Sequence, residues 1–274
     1  MTGSTAPDPT TARIAVIGGS GFYQLLEDSR YVTVDTPFGE PSDAIAVGTV
    51  AGRPVAFLPR HGRDHGLPPH RINYRANLWA LRSLGVRQVL APCAVGSLRP
   101  ELGPGSIVVP DQLVDRTSGR AQTFYDRGAV HVSFADPYCG TGRVAVLKAA
   151  ADAGQQAHDG GTMVVVEGPR FSTRAESQWF AAAGWSLVNM TGHPEALLAR
   201  ELELCYTAVA LVTDHDAGID AGAAVGQEQV FAVFARNIER LRDLVLRTVD
   251  LLPQQRSCPC ARALEGLAPP IDLP

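Results

Sequence analysis

Short apolar segments alternate with helical patterns along most of this chain, and this alternation is what most constrains its fold. Six runs rich in Val, Ile and Ala have the length and composition of strands that are buried on both faces. These runs are RIAVIGG, RPVAFLP, RQVLAPC, SIVVP, TMVVVEG and YTAVALVT. Their alternation with helices predicts an α/β protein, a three-layer α/β/α sandwich around a twisted, mostly parallel or mixed central sheet.

Capping signals mark several of the intervening helices. The stretch 73–84 carries leucines in helical step and stops before a glycine. Thr173 and Glu176 have the spacing of a capping box and predict a helix that starts there. Apolar residues recur every three or four positions over 230–252, which predicts a long amphipathic helix that ends at a proline.

The sequence contains no internal repeat and no linker that would separate two domains. It predicts a disordered N-terminal tail over 1–12, a single domain over 13–252, and a C-terminal tail over 253–274 that contains a Cys-Pro-Cys motif. The N-terminus is polar, and no apolar run reaches the roughly 18 residues needed to span a bilayer. We therefore expect a cytoplasmic protein that makes no use of a membrane.

Composition excludes several classes of enzyme. Lys148 is the only lysine among the 24 basic residues, and it lies in an ordinary helical stretch. P-loop enzymes, protein kinases and Schiff-base enzymes each need a lysine in a specific place, so these classes are excluded. The net charge of −4 disfavours nucleic acid as a partner.

The five cysteines are of two kinds. Cys93, Cys139 and Cys205 occur singly in apolar surroundings, which is typical of buried, reduced cysteines. Cys258 and Cys260 form the Cys-Pro-Cys motif, and no second Cys or His pair follows at ligand spacing, so we expect no four-ligand zinc site. A surface redox or disulfide pair and no role at all both remain open.

Groups suited to binding an anion follow several of the apolar runs. The first run ends in GGSG, where backbone N–H groups and the Ser20 hydroxyl can face an anion, although the full dinucleotide motif Gly-x-Gly-x-x-Gly is missing. The second run is followed by Arg60, which can donate two parallel hydrogen bonds to an anion, and by His61, which can supply a third donor. Thr191 precedes a helix that we expect to start at Pro194. Taken singly, each group also has a purely structural interpretation.

Two carboxylates end the last apolar run. Asp214 and Asp216 are two residues apart, so in an extended chain both side chains point to the same side. Such a pair can accept hydrogen bonds from a ring nitrogen and an exocyclic amine, and it can donate a proton if one pKa is raised. A Ca²⁺ loop is the alternative, but no Gly and Glu follow at EF-hand positions.

Taken together, these stretches resemble the S-methyl-5'-thioadenosine phosphorylases of the trimeric purine nucleoside phosphorylase family over nearly all of residues 13–252. The matching stretches are GGSGFY, VDTPFGEPSDA, RHGRDH, INYRANLWAL, GSLRPELGPGSIVVPDQ, EGPRFSTRAES, NMTGHPEALLARELELCY and TDHDAG. The resemblance implies a homotrimer or a dimer of trimers, with sites near the subunit interfaces. It also implies cleavage of a purine nucleoside by inorganic phosphate, a co-substrate, in purine and methionine salvage, with no metal or organic cofactor.

The resemblance also implies site residues, by position in this chain. The phosphate site matches Ser20, Arg60, His61, Cys93, Ala94 and Thr191. The base and ribose site matches Phe171, Ser172, Met190, Asp214 and Asp216. Asp214 is the implied general acid on the leaving purine. The 5' pocket matches Gln227 together with His131 from a neighbouring subunit.

Some positions depart from the family pattern and keep alternatives open. Cys93 stands in a Pro-Cys-Ala where the family has Thr-Thr-Ala, which removes a hydroxyl from the phosphate site. Gln227 is polar where the family has an apolar contact, so adenosine with another 5' substituent is an alternative substrate. The turn at His193 leaves 6-oxopurine nucleosides such as inosine or methylthioinosine as alternative substrates, while the aspartate pair favours adenine as the base. A nucleoside hydrolase would leave Arg60 without an anion, and a non-catalytic nucleoside-binding protein is the remote alternative.

The Cys-Pro-Cys tail resembles the Cys-x-Cys of some archaeal relatives, where such pairs support stability.

Overall fold

One mixed β-sheet organises the part of the chain that the computed structural model describes, residues 12–19, 22, 25–26, 28–219 and 225–274. Within these residues the sheet has eleven strands. They are β1 (Ile14–Gly18), β2 (Arg30–Val32), β3 (Ile45–Val50), β4 (Arg53–Pro59), β5 (Gln88–Ser97), β6 (Ile107–Val109), β7 (Gln112–Arg116), β8 (Ala157–Asp159), β9 (Thr162–Val166), β10 (Leu187–Asn189) and β11 (Cys205–His215).

The two longest strands, β5 and β11, run parallel to each other at the centre of the sheet. Along its other edge, β5 pairs first with β1 in parallel and then, at Gly96 and Ser97, with β10 in the antiparallel direction. The strand order is β2-β3-β4-β1-β5-β10-β9-β7, with β11 on β5 and β6, and β6 on β8. The change of partner separates the carboxyl end of β1 from β5, and a gap of this kind in an α/β sheet is where ligands bind.

Helices cover both faces of the sheet. The α-helices of the described residues are α1 (Tyr74–Ser83), α2 (Gly140–Asp152), α3 (Arg174–Ala182), α4 (Gly192–Glu201) and α5 (Gln227–Leu251). Alternate residues of β1 show the layering, because Ala15 and Ile17 pack in one core with α1 and α4, whereas Ile14 and Val16 pack in another with α2 and α5. None of the helices in the described residues is long and apolar enough to cross a membrane.

The predicted three-layer sandwich is confirmed, and so are its main elements. All six apolar runs form strands, namely β1, β4, β5, β6, β9 and β11. The capping box at α3 forms both of its hydrogen bonds, Glu176 N–H to Thr173 Oγ1 at 3.2 Å and Thr173 N–H to Glu176 Oε2 at 2.7 Å. The sequence did not predict β2, β3, β7, β8 and β10 as strands. Residues of β2, β7 and β8 are partly or fully exposed and lack a continuous apolar signal, whereas β3 carries a glycine and a threonine in its apolar stretch and β10 has only three residues.

The two predicted tails differ in what the structure describes. Of the N-terminal tail over 1–12, all but Ala12 lie outside the described residues, and Ala12 is buried and donates its N–H to Leu84 O at 3.0 Å. The C-terminal segment 253–274 packs on the domain, where Leu264 is buried in the core that contains α1 and α4. Cys260 in the same segment is buried as well.

The contact between α2 and β11 gives a direct test of this packing. A Cβ on Gly142 of α2 would lie 2.0 Å from Thr207 Oγ1 of β11, whereas a Cβ on Gly140 would have no atom within 4 Å. We expect Gly142→Ala to lower the free energy of unfolding by about 1–3 kcal/mol, because overpacking forces the helix away from the sheet. The matched control Gly140→Ala should not destabilise the protein. Urea denaturation measures both, and equal stability of the two variants would contradict this packing.

Candidate active site

A cavity of about 420 Å³ lies where the carboxyl ends of β1, β4, β5 and β11 meet the segments that lead into α4 and α5. Most of the site residues expected from the sequence line this single cavity. They are Arg60, His61, Cys93, Ala94, Phe171, Ser172, Met190, Thr191, Asp214, Asp216 and Gln227. Ser20 lies outside the described residues, and its neighbour Gly19 lines the cavity.

Arg60 places a fixed positive charge in the wall of the cavity. It follows β4 and is only 1% exposed. Its Nε and Nη2 donate to the two carboxylate oxygens of Glu195 at 2.7 and 2.8 Å. Burial lowers the pKa of Arg60, but the adjacent Glu195 carboxylate more than reverses this effect, so the pKa lies above its ordinary value and the guanidinium stays charged. Nη1 makes a long 3.4 Å contact with Pro92 O and keeps capacity for a ligand.

Glu195 is the residue that sequence reasoning missed, and it corrects the expected geometry of Arg60. Glu195 is fully buried and also accepts a hydrogen bond from Tyr206 Oη at 2.7 Å. The two parallel hydrogen bonds expected between Arg60 and an anion are made to Glu195 instead. The available signal was a glutamate in the first turn of α4, but an acid at that position is also an ordinary helix-start feature.

His61 differs from the expected third donor. Its Nδ1 lies 2.8 Å from Leu67 O, and a carbonyl oxygen only accepts, so Nδ1 carries the hydrogen. Burial lowers the pKa of His61 to about 4, and the nearby Arg60 charge contributes to the lowering. The ring is therefore neutral at pH 7 in the ligand-free protein, and Nε2 is an acceptor. In the ligand-free protein His61 therefore offers no donor to the cavity, and its predicted role toward a bound anion stays a prediction.

Thr191 offers its hydroxyl at the N-terminus of α4. It is the N-cap residue, yet its side chain makes no capping hydrogen bond to the helix. Asn189 takes over that role, because its Oδ1 accepts from the N–H of Thr191 at 2.8 Å and from the N–H of Gly192 at 2.6 Å. Asn189 Nδ2 in turn donates to Ala94 O at 3.2 Å, which fastens the turn to β5. Thr191 therefore lines the cavity with its side chain, while the N–H groups of Thr191 and Gly192 are taken by Asn189.

The two aspartates lie side by side above β5. A Cβ on Gly96 would be 3.1 Å from Asp214 Oδ2 and 3.4 Å from Asp216 Oδ1, so both carboxylates pack over the same glycine. The register between β11 and β5 shifts between Val212 and Asp214, an irregularity that is common next to functional sites. The prediction that both side chains point to the same side is confirmed.

Each aspartate has a hydroxyl partner and a raised pKa. Thr213 Oγ1 donates to Asp214 Oδ1 at 2.7 Å, and Ser177 Oγ donates to Asp216 Oδ2 at 2.5 Å. Burial raises the pKa of Asp214 to about 6, and the neighbouring Asp216 carboxylate also raises it. Burial raises the pKa of Asp216 as well. A carboxyl with a pKa near 6 can hold or donate a proton close to neutral pH.

A second arginine, also missed from the sequence, holds the loop that carries Met190. Arg120 Nη1 donates to Met190 O at 2.9 Å and to His193 O at 2.6 Å, while Nη2 donates to Glu167 O at 2.6 Å. These hydrogen bonds join the segment after β9 to Met190 before α4 and to His193 in the first turn of α4. Arg120 therefore positions two walls of the cavity without lining it.

The start of α5 closes the cavity with mixed chemistry. Gln227 lines it as expected, and Val230 and Phe231 on the next turn add an apolar surface. Phe231 makes an edge contact with His65, with ring centroids 5.7 Å apart. The sequence placed this stretch on an amphipathic helix but did not indicate that part of its apolar face covers a cavity.

Two histidines discussed from the sequence lie elsewhere. His131 is exposed and borders a different cavity, beside Gln112 and Ser133. His193 is buried, its Nε2 lies 3.2 Å from Asp115 Oδ2, and it does not line the 420 Å³ cavity. The His193 side chain therefore lies near the cavity wall at Thr191 without lining the cavity.

In the described part of the chain, one group of possible metal ligands lies close enough together to hold a metal ion. It consists of four cysteines outside the cavity. The Sγ atoms of Cys139, Cys205, Cys258 and Cys260 all lie within 4.8 Å of one another. The sequence-based expectation that Cys258 and Cys260 have no further ligands nearby is therefore wrong. The two missing sulfurs come from positions far away in the chain, which ligand-spacing rules do not cover.

Comparison with known proteins identifies the family. A model described as the phosphorylase superfamily matches residues 13–250. A purine nucleoside phosphorylase of Streptomyces coelicolor is 62% identical over 96% of this chain and 98% of its own length. An S-methyl-5'-thioadenosine phosphorylase of Mycolicibacterium smegmatis is 60% identical over 95% and 99%. The crystal structure of a methylthioadenosine phosphorylase from an antarctic soil metagenomic library superimposes with a TM-score of 0.88 at 42% identity, covering 94% of this chain and 92% of that one. With its sandwich fold and its cavity at the strand ends, the chain belongs to the phosphorylase superfamily.

Proposed function

We propose that this enzyme cleaves S-methyl-5'-thioadenosine with inorganic phosphate, yielding adenine and 5-methylthioribose 1-phosphate. One observation carries the proposal: a pair of buried carboxylates with raised pKa values and a fixed arginine share a single cavity of about 420 Å³. The carboxylates suit the edge of an adenine ring, and the arginine suits phosphate. A cavity of this size matches a nucleoside-sized ligand.

Phosphate would bind between Arg60 and the start of α4. Arg60 Nη1 and the Thr191 hydroxyl supply donors, and Gly19 lines the same cavity. His61 Nε2, as a neutral acceptor, suits the hydroxyl of a monoprotonated phosphate rather than a bare oxygen. Cys93 and Ala94 complete this side of the cavity, and burial raises the pKa of Cys93 to about 12, so the thiol stays neutral beside the anion.

The purine would lie against the aspartate pair, with Phe171 and Ser172 as its wall. A protonated Asp214 donates to N7 and acts as general acid on the departing base. Asp216 is placed beside it to accept from the 6-amino group of adenine. A 6-oxo group is itself an acceptor and would oppose an ionised carboxylate, so the pair favours adenine.

The rate of the displacement depends on charge at both ends of the breaking bond. Negative charge develops on the purine while C1' becomes cationic, and groups that stabilise these charges more strongly in the transition state accelerate the reaction. Asp214 neutralises the purine end. Phosphate held by Arg60 and Thr191 lies near the sugar, so its charge stabilises the cation and its oxygen completes the displacement. This reaction needs no metal or organic cofactor.

The 5' substituent would face α5. Val230 and Phe231 give that side an apolar surface that suits a methylthio group, and Gln227 is the polar residue beside them. This surface favours methylthioadenosine over adenosine, whose 5' hydroxyl is polar. A general purine nucleoside phosphorylase is the second candidate, because the Streptomyces coelicolor relative at 62% identity bears that name.

We further propose that the working enzyme is a homotrimer in which His131 completes a neighbour's 5' pocket. His131 is exposed and lies away from the cavity of its own chain. A residue that completes the pocket of another subunit has to be exposed on its own chain in this way. The proposal thus accounts for an expected site residue that the single chain does not bring to the cavity.

A substrate panel tests the proposed reaction. The purified enzyme is incubated with methylthioadenosine, adenosine, methylthioinosine and inosine, each with and without phosphate, and the released base and sugar phosphate are quantified. We expect release only with phosphate and the highest kcat/KM for methylthioadenosine. Release that does not depend on phosphate would exclude a phosphorylase. A preference for inosine would favour the second candidate.

Asp214→Asn tests the general acid. Because the Asp214 pKa is raised to about 6, its protonated fraction falls as pH rises, and we expect kcat/KM of the wild type to decrease above about pH 6. The variant should lose about 100-fold or more in kcat/KM for methylthioadenosine and lack that inflection. It should also lose relative preference for 6-amino over 6-oxo substrates. An unchanged pH profile and base preference would refute the assigned role.

Thr191→Val tests the phosphate site with little change in shape. Loss of one hydroxyl that donates to a charged ligand should raise the KM for phosphate about tenfold, with the KM for the nucleoside nearly unchanged. Thr207→Val is the matched control, because Thr207 lies on β11 and does not line the cavity. Steady-state kinetics with varied phosphate measures both variants. Equal phosphate KM values in the two variants would remove Thr191 from the site.

A further inference from the structure

Four of the five cysteines, from three segments that are far apart in the sequence, converge on one point. The cysteine cluster consists of Cys139, Cys205, Cys258 and Cys260, whose Sγ atoms all lie within 4.8 Å of one another. Three of these residues are buried, and Cys258 is partly buried. The four side chains pack against one another as a separate small core. The proposed phosphorolysis makes no use of them.

Three separate segments bring these sulfurs together. Cys139 is the N-cap residue of α2, and Cys205 is the first residue of β11. The N–H of Cys139 donates to Tyr206 O at 2.8 Å, so the two elements are joined at this point. Cys258 and Cys260 flank Pro259 at the start of a short 3₁₀ helix in the C-terminal segment. Arg256 Nη1 donates to Glu203 O at 2.5 Å and holds that segment beside β11.

The arrangement fits one metal ion better than two disulfides. Four sulfurs at 2.3 Å from a tetrahedral Zn²⁺ are about 3.8 Å apart. The sulfur–sulfur distances in the cluster span this value, since the sulfurs of Cys205 and Cys258 are 3.2 Å apart and no pair exceeds 4.8 Å. A disulfide needs about 2.05 Å within each pair and gives no reason for the two pairs to share one centre.

The surroundings offset the negative charge that four thiolates around Zn²⁺ would have. Arg256 Nη1 lies 4.0 Å from Cys205 Sγ. Cys139 stands at the start of a helix of 13 residues, where the backbone dipole favours negative charge. Burial of three of the ligands also protects them from oxidation and exchange.

We propose that the cysteine cluster binds one structural Zn²⁺ that fastens the C-terminal segment to the domain. Binding forms four Zn–S bonds and releases the thiol protons to solvent, with no oxidation or reduction. Four protein ligands leave no open position for a substrate, which is typical of structural and not catalytic zinc. The fastened segment contributes Leu264 to the core beneath α1 and α4, so loss of the metal loosens that packing.

Metal analysis of the purified, tag-free full-length protein tests the proposal. Mass spectrometry of the elements should find one zinc per chain in the wild type. The double variant Cys258→Ser/Cys260→Ser should contain close to none and should unfold at a temperature lower by about 5 °C or more. Cys93→Ser is the matched control, since Cys93 lies outside the cluster, and it should retain one zinc. Iron in place of zinc, or equal zinc in all three proteins, would overturn the proposal.

Two further measurements remain informative if the double variant fails to fold. Wild-type protein stripped by a chelator under reducing conditions and given Co²⁺ alone should develop the intense thiolate-to-cobalt absorption and the visible bands of a tetrahedral site. Thiol titration of the denatured protein, purified without reductant and treated with chelator, should count five thiols per chain. One thiol per chain with no bound metal would mean two disulfides and would refute the zinc site, whatever the enzyme's substrate proves to be.

Discussion

The buried ion pair between Arg60 and Glu195 is the interaction on which the site depends. It joins the end of β4 to α4, and Tyr206 of β11 and the Ile17 carbonyl of β1 bond to the same two side chains. Removing either partner would leave an uncompensated charge in the interior, which is strongly destabilising. The pair therefore fixes the direction of the guanidinium, and only one of its nitrogens is left with capacity for a ligand.

The course of the sheet explains why the cavity lies where it does. β5 leaves β1 and pairs with β10 at its carboxyl end, while β11 follows it throughout. The opening between the strand ends receives side chains from both long strands. Gly96 has no Cβ, and this lets Asp214 and Asp216 approach the backbone of β5 closely. A larger residue at this position would displace the carboxylates.

The same cavity contains carboxyls with raised pKa values and an arginine that stays charged. The proposed general acid needs a carboxyl that holds a proton, and burial raises the pKa values of Asp214 and Asp216. The proposed phosphate site needs a permanent cation, and the Glu195 carboxylate keeps Arg60 charged in spite of its burial. The chain has a net charge of −4 and a single lysine, so the proposed phosphate site depends on positive charge that a buried arginine supplies locally.

The sequence by itself determined most of the elements and much of the site. Continuous apolar runs and helical patterns are local, so six of the strands and the capped helices could be recognised, and the two-residue spacing of Asp214 and Asp216 placed both side chains on the same side. Only the tertiary structure decided that Glu195 binds the guanidinium of Arg60, that Leu67 O accepts from His61 Nδ1, and that cysteines from three separate segments meet. These features arise from contacts between segments that are far apart in the chain, where burial and partner geometry set protonation and orientation, and no local pattern encodes them.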